Sequence, residues 1–225
     1  AEVLGGRTRL YMLVGDSGMG KTRLVEEVSA EAAVSGMRAA VGACSAVGPA
    51  YWPWSQVLRA LAKNIPVAQT AEIFGTMAPW MGALLPELQP RLGGIEQASA
   101  TVSEDARYAL FDAIATFVTA SARSQPMALI FDDLHDADVS ALSLLHYLAR
   151  TVHDAPLLLL GTYGESDLRR RPERARLLSE IEELGHRVAL GGLTVSETAR
   201  LLDSQFASDT DPSFVDEIHR LSGGN

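Results

Sequence analysis

Along this chain, short apolar runs alternate with longer stretches in which apolar residues return every three or four positions. The short runs have the length and composition of strands covered on both faces, and the periodic stretches those of helices that cover them. Arg9-Leu-Tyr-Met-Leu-Val14 predicts a first strand entering a glycine-rich segment, Gly15 to Gly20. From Lys21 to Ser35 the apolar residues Leu24, Val25, Val28, Ala32 and Ala33 share one face of a predicted helix, which Gly36 stops. Met37 to Cys44 predicts a second strand, with Cys44 buried in it. Met127-Ala-Leu-Ile-Phe131, Pro156-Leu-Leu-Leu-Leu-Gly-Thr162 and Arg187-Val-Ala-Leu190 predict three more.

Helices are predicted over 139–150, with Leu142, Leu145, Leu148 and Ala149 inward, and over 172–184. Ser103 and Asp105 are candidate caps for a long helix whose inner face carries Ala106, Leu110, Ile114, Phe117 and Ser121. The stretch from Ser45 to Gly94, rich in Pro, Gly and Trp, predicts two or three short helices. After Gly191-Gly192 the pattern is wholly helical, over 195–206 and 212–222, up to Gly223-Gly224-Asn225. Strand and helix alternation of this kind predicts an α/β fold: a three-layer α/β/α domain around a five-stranded parallel sheet over 1–191. Residues 192–225 read as the beginning of a helical lid domain, cut short.

Two matches to known chemistry sit on this frame. Gly15-Asp-Ser-Gly-Met-Gly-Lys21-Thr22 fits the phosphate-loop pattern G-x-x-x-x-G-K-[ST], with a strand leading in and an amphipathic helix leading out. Glycines let successive backbone N–H groups point into one anion-binding concavity, and the loop ends at a helix N-terminus whose dipole favours phosphate. The predicted phosphate-binding residues are Gly15, Asp16, Ser17, Gly18, Met19, Gly20, Lys21, Thr22 and Arg23. Lys21 brings a point charge to the β- and γ-phosphates of a bound nucleotide, expected to be ATP, and Thr22 binds Mg²⁺. At the end of the third predicted strand stands Phe131-Asp132-Asp133. Adjacent carboxylates there suit chemistry better than stability: Asp132 is the expected Mg²⁺ partner, and Asp133 the group that orients or deprotonates the attacking water.

Other candidates have two readings each. His135 either approaches the γ-phosphate or bonds backbone. Arg169-Arg170-Arg171 is either a charge-neutralising finger or a solvated face. Tyr51-Trp52-Pro53-Trp54 either stacks on a base or packs under a loop. Asp136 and Asp138 most simply cap the helix starting near Val139.

Composition narrows the function classes. With 19 Lys and Arg against 28 Asp and Glu the net charge is −9, the wrong global field for gripping nucleic acid directly. One cysteine excludes an internal disulfide, and no Cys and His cluster has metal-ligand spacing. No signal-peptide pattern opens the chain, and the run Leu157 to Leu160 is far too short for a bilayer, so the expected compartment is the cytoplasm and no membrane partner is expected.

The segments Val14-Gly-Asp-Ser-Gly-Met-Gly-Lys-Thr-Arg-Leu24, Tyr51-Trp-Pro-Trp54, Leu84-Leu-Pro-Glu-Leu88, Leu129-Ile-Phe-Asp-Asp-Leu-His135, Leu158-Leu-Leu-Gly-Thr-Tyr163 and Leu221-Ser-Gly-Gly-Asn225 resemble the STAND class of AAA-like signal-transduction ATPases. The nearest branch is that of large bacterial LuxR-type transcriptional regulators and fused adenylate cyclases. The resemblance implies an additional-strand (ASCE-type) sheet with the Asp132 strand beside the phosphate-loop strand. It also implies an ATP/ADP-gated switch that oligomerises in its ATP state, with a helical sensor and effector parts elsewhere in a longer polypeptide. The family's Gly-Arg-Glu segment upstream of the first strand, and the proline after Gly-Gly-Asn, fall outside this chain. After Gly161-Thr162-Tyr163 the family typically places an arginine aimed at the γ-phosphate; here that sensor position is Gly164, which implies slow hydrolysis. Two further readings stand beside an ATP-hydrolysing switch: an assembly module that holds nucleotide without useful hydrolysis, and a small-molecule kinase on the same loop.

Overall fold

In the computed structural model, residues 2–63, 78–91, 104–206 and 211–225 are described. Five strands form one parallel sheet: β1 (Arg9–Val14), β2 (Arg38–Ala43), β3 (Met127–Asp132), β4 (Leu157–Tyr163) and β5 (His186–Ala189). Their spatial order is β2-β3-β4-β1-β5. All six residues of β3 are buried, as an apolar run with covered faces requires.

The order corrects one expectation. The Asp132 strand does not lie beside the phosphate-loop strand, because β4 is inserted between them, pairing Leu158 with Arg9 on one side and with Ala128 on the other. The leucine run of β4 has the apolar character that a strand with two neighbours and two covered faces needs. The direct neighbour of the phosphate-loop strand on that side is β4.

Helices cover both faces. Helix α1 (Lys21–Val34) packs against one, where Val25 and Ala32 meet Leu13, Ile130 and Leu160. The opposite face carries the larger core, built with α2 (Trp52–Ala62), α3 (Ala78–Leu84), α4 (Glu104–Ser124), α5 (Val139–Thr151) and α7 (Pro172–Glu182). Helix α6 (Glu165–Leu168) is one short turn after β4. Two 3₁₀ turns, Pro86–Arg91 and Leu134–Asp136, complete the frame.

Trp54 settles the reading of its aromatic cluster. It is fully buried, its indole N–H donates to the Ala141 carbonyl at 3.0 Å, and its ring centroid lies 4.7 Å from that of Phe131. A side chain held so from both sides is packing and no platform for a base. Gly42 permits this: a Cβ there would overlap the Pro53 carbonyl, so only glycine lets α2 approach β2 this closely.

Several boundaries moved. Cys44 follows β2 instead of lying in it and is half-buried, although its N–H still donates to the Asp132 carbonyl at 2.9 Å. Strand β5 is shifted by one residue and is an exposed edge. The candidate cap Ser103 lies outside the described residues; Asp105, with Glu104, sits in the first turn of α4, where negative charge suits the helix dipole. On that helix Leu110, Ile114 and Phe117 are buried as expected.

Beyond Gly191-Gly192, helices α8 (Val195–Phe206) and α9 (Pro212–Ser222) pack on each other, burying Thr198 and Val215. Leu201, Phe206, Phe214 and Leu221 stay exposed. The base of this hairpin is closed by the Leu193 N–H, which donates to the Gly224 carbonyl at 2.7 Å. No helix among the described residues is long and apolar enough to cross a membrane.

Candidate functional site

The carboxyl ends of β1, β3 and β4 converge on the loop Gly15–Gly20, where a parallel sheet places its ligands. Gly18 and Gly20 have φ of 86° and 81°, a left-handed conformation that L side chains rarely adopt. The loop therefore wraps tightly and delivers the chain to α1, which begins at Lys21 with no side-chain cap on its first turn. The Gly15 N–H donates to the Tyr163 carbonyl at 3.2 Å, tying the loop to the end of β4.

Lys21 is 7% exposed, and its Nζ donates to the carbonyls of Gly15 (2.9 Å) and Asp16 (3.1 Å). A buried ammonium held by two carbonyls rather than a carboxylate lacks the charge partner that its desolvation calls for. Together with the uncapped helix start, this is the donor set for an anion of phosphate type. Asp16 and Ser17 are exposed, and Met19 is half-buried. Arg23, counted among the phosphate-binding residues, turns its guanidinium to Glu26 and Glu27 on the helix surface and has only its backbone to offer the loop.

Opposite Lys21 a chain of hydrogen bonds links three elements. Thr22 Oγ1 donates to Asp132 Oδ2 at 3.1 Å, and Thr162 Oγ1 donates to Asp132 Oδ1 at 2.5 Å. The Asp133 N–H in turn donates to Thr162 Oγ1 at 2.9 Å. Asp132 is 9% exposed and Thr162 wholly buried, so both carboxylate oxygens are fixed. The pair Thr22 and Asp132, two hard oxygen donors at the rim of the anion cradle, fits Mg²⁺, which needs phosphate oxygens and water to complete its shell. Among the described residues no group of three or more His, Cys, Asp or Glu could hold a metal by itself.

Asp133 adopts φ 59°, one of two non-glycine residues in the left-handed region among those described. Asp tolerates that region better than most side chains, and this conformation turns the chain so that neighbouring carboxylates can share the crevice. Burial, and then the neighbouring Asp132, raise the Asp133 pKa above the usual carboxylate range; His135 and Lys21 pull it back down. Its side chain remains 45% exposed.

His135 bonds backbone: its Nδ1 accepts from the Gly164 N–H at 3.4 Å. Gly164 is buried. The arginine triplet divides, since Arg171 donates to Asp136 Oδ1 (2.6 Å) and to the His135 carbonyl (2.5 Å), while Arg169 and Arg170 are exposed. Asp136 is thus an ion-pair partner and caps nothing. Asp138 does cap α5, accepting from Ala141 N–H at 3.0 Å, and also takes the Tyr51 N–H at 2.9 Å.

Sequence reasoning missed Thr162 and Asn225. A threonine near the end of an otherwise leucine-rich strand was the available signal for Thr162. Nothing in the pattern placed Asn225 on the phosphate loop, where its Nδ2 donates to the Ser17 carbonyl at 3.1 Å and its side chain crowds Gly18.

Residues 1–160 match the AAA ATPase domain family. No curated protein matches the chain in sequence. Among solved structures, a STAND protein with a tetratricopeptide repeat sensor from Pyrococcus horikoshii is 16% identical, covers 99% of this chain and has a TM-score of 0.51. The ORC2 protein of Aeropyrum pernix, solved as ADPNP–ADP complexes, is 17% identical over 93% of this chain with a TM-score of 0.52. The chain spans 27% of the first of these proteins and 50% of the second. At such identity the likeness is one of fold: an α/β P-loop NTPase architecture around a five-stranded parallel sheet.

Proposed function

The chain belongs to the AAA ATPase domain family, and from that premise we propose that it is an ATP-binding, slowly hydrolysing switch domain of a signal-transduction regulator. The observation that carries this reading is the buried Lys21 ammonium, resting on loop carbonyls across from the fixed Thr22–Asp132–Thr162 chain. Lys21 and the backbone of Gly15–Thr22 bind the triphosphate. Thr22 and Asp132 would hold Mg²⁺, which supplies charge neutralisation at the phosphates. Asp133, beside Asp132 and partly open to solvent, orients the attacking water and takes its proton. Hydrolysis then releases the contact that distinguishes ATP from ADP, and residues 192–225, read as the beginning of a helical lid domain, carry that difference to parts beyond residues 1–191. A LuxR-type regulator or a cyclase is the expected setting, with ATP-dependent self-association and no direct nucleic-acid contact by this chain.

A second reading, nucleotide retention without useful hydrolysis, is favoured by Gly164, which offers the γ-phosphate no side chain. A small-molecule kinase is disfavoured by the carboxylate pair Asp132 and Asp133, which suits the activation of water.

Phosphate release measured with and without candidate acceptors decides among the three. The expected outcome is slow, acceptor-independent release that stops in Lys21→Ala, with ATP affinity falling by about 2–4 kcal/mol, the scale of a partly desolvated charge-assisted contact. Affinity within threefold of the parent would remove Lys21 from the phosphate site. Nucleotide held with no release at all would favour the retention reading.

A further inference from the structure

His135 occupies a place that neither the phosphate loop nor the metal pair accounts for. Its side chain is only 14% exposed, and it sits between the carboxyl ends of β3 and β4. Its backbone is held from the far side: the carbonyl accepts from Arg171 at 2.5 Å and from Arg174 at 3.0 Å. Two arginines on one carbonyl fix the turn Leu134–Asp136 against the start of α7, so the imidazole has little freedom to leave.

The ring joins two groups that a reaction here would need to keep in register. Nδ1 accepts the Gly164 N–H, which assigns the imidazole proton to Nε2 in the neutral ring. Nε2 then faces Asp167 Oδ2 at 3.6 Å and Asp136 Oδ2 at 3.8 Å, while Asp133 Oδ1 lies 3.9 Å from Nδ1. Asp167 also fills the space beside Gly164 that any Cβ would enter. Position 164 is therefore not a vacancy left by a missing side chain. It is a backbone donor, held by His135 and walled by Asp167.

We propose that His135 is a positioning residue that locks the turn carrying Asp133 to the end of β4 through the Gly164 N–H, and so sets where the Asp133 carboxylate points. The inference rests on the reading of Asp133 as the group that activates water. Asp133 adopts a left-handed conformation that L side chains rarely visit, its N–H donating to Thr162 Oγ1 at 2.9 Å and its carbonyl accepting the Asp136 N–H at 2.8 Å. Tying the following turn of chain to Gly164, two residues after Thr162 at the same strand end, gives that backbone a second anchor. A displacement of about 1 Å at a reacting group costs as much as a hundredfold in rate.

Three variants test this. Asn carries an acceptor on Cγ, where the imidazole carries Nδ1; Gln carries it one bond further out; Ala carries none. The readouts are single-turnover ATP hydrolysis, ADP affinity by calorimetry, and the hydrogen-exchange rate of the Gly164 amide without nucleotide. In His135→Ala the amide is expected to exchange at least tenfold faster and turnover to fall about tenfold, with ADP affinity within threefold of the parent. His135→Asn is expected to recover both properties better than His135→Gln. A Gly164 amide that exchanges at the parent rate in His135→Ala overturns the lock. Faster exchange with parent turnover, or a loss of ADP affinity that matches the loss of turnover, overturns the positioning role. Asp133→Asn run alongside separates the two claims: if it hydrolyses ATP as fast as the parent, the reading of Asp133 fails, and the lock is decided by the exchange rates alone.

Discussion

A threonine does the fixing at the centre of this site. Thr162 donates to Asp132 and accepts from the Asp133 N–H, so one buried hydroxyl serves both halves of the acidic pair. Valine has nearly the same shape and neither function. Thr162→Val leaves Asp132 Oδ1 and the Asp133 N–H without partners, and each unsatisfied buried group costs about 1–3 kcal/mol. The expected outcome is a stability loss of about 2 kcal/mol in urea unfolding with a parallel loss of turnover. Thr162→Ser keeps the hydroxyl and is expected to stay within about 1 kcal/mol of the parent, since only a methyl group is removed. Equal stability of Val and parent would show that the hydroxyl is not what holds the pair.

Among the elements, α5 is the one that ties the site to the core. It follows the acidic turn directly, buries Leu142, Leu144, Leu145 and Leu148, and receives the Trp54 indole on its Ala141 carbonyl. Asp138 starts it, holding the Ala141 N–H and, across the fold, the Tyr51 N–H. Tyr51 itself has φ 60°, so its backbone is set by this contact rather than by local preference. Asp138→Ala removes a helix cap and leaves the Tyr51 N–H without its acceptor; together these cost about 2 kcal/mol. Thermal unfolding is expected to shift down by about 4–8 °C. Asp138→Asn, which can still accept, is expected to lose less than half of that. An unchanged midpoint in Asp138→Ala would mean that α5 is positioned by burial alone.

At the scale of the molecule, helices α8 and α9 are closed at their base, where residues 223 and 224 come back against residues 192 and 193. Gly192 and Gly224 approach so closely that a Cβ on Gly192 would lie 2.6 Å from the Gly223 carbonyl oxygen. A Cβ on Gly224, at φ 83°, would run into the backbone of Leu193. Beside this junction Asn225 rests on the phosphate loop. Gly224→Ala adds a left-handed strain of about 1–2 kcal/mol to that clash. Cleavage by a nonspecific protease between residues 191 and 194 is expected to speed up by about tenfold, the ratio that 1.4 kcal/mol of local opening gives. Unfolding of the sheet is expected to be unchanged. Equal cleavage rates in variant and parent would show that the hairpin is held elsewhere.

What the sequence by itself determined is local and periodic. The five strands, the helices 21–34, 139–151, 195–206 and 212–222, and the phosphate loop are legible because burial periodicity and glycine placement act within a few residues. Asp132 and Lys21 were legible for the same reason, as charges at positions where a buried element gains nothing from them. Only the tertiary structure decided the strand order, because pairing partners of an apolar parallel strand are interchangeable in pattern and are chosen by the packing of the whole sheet. It alone put Thr162 on Asp132, His135 on Gly164, Arg171 on Asp136 and Asn225 on Ser17. Those contacts join residues 29 or more positions apart, and a hydrogen bond across such a distance leaves no period in the chain for a reader to find.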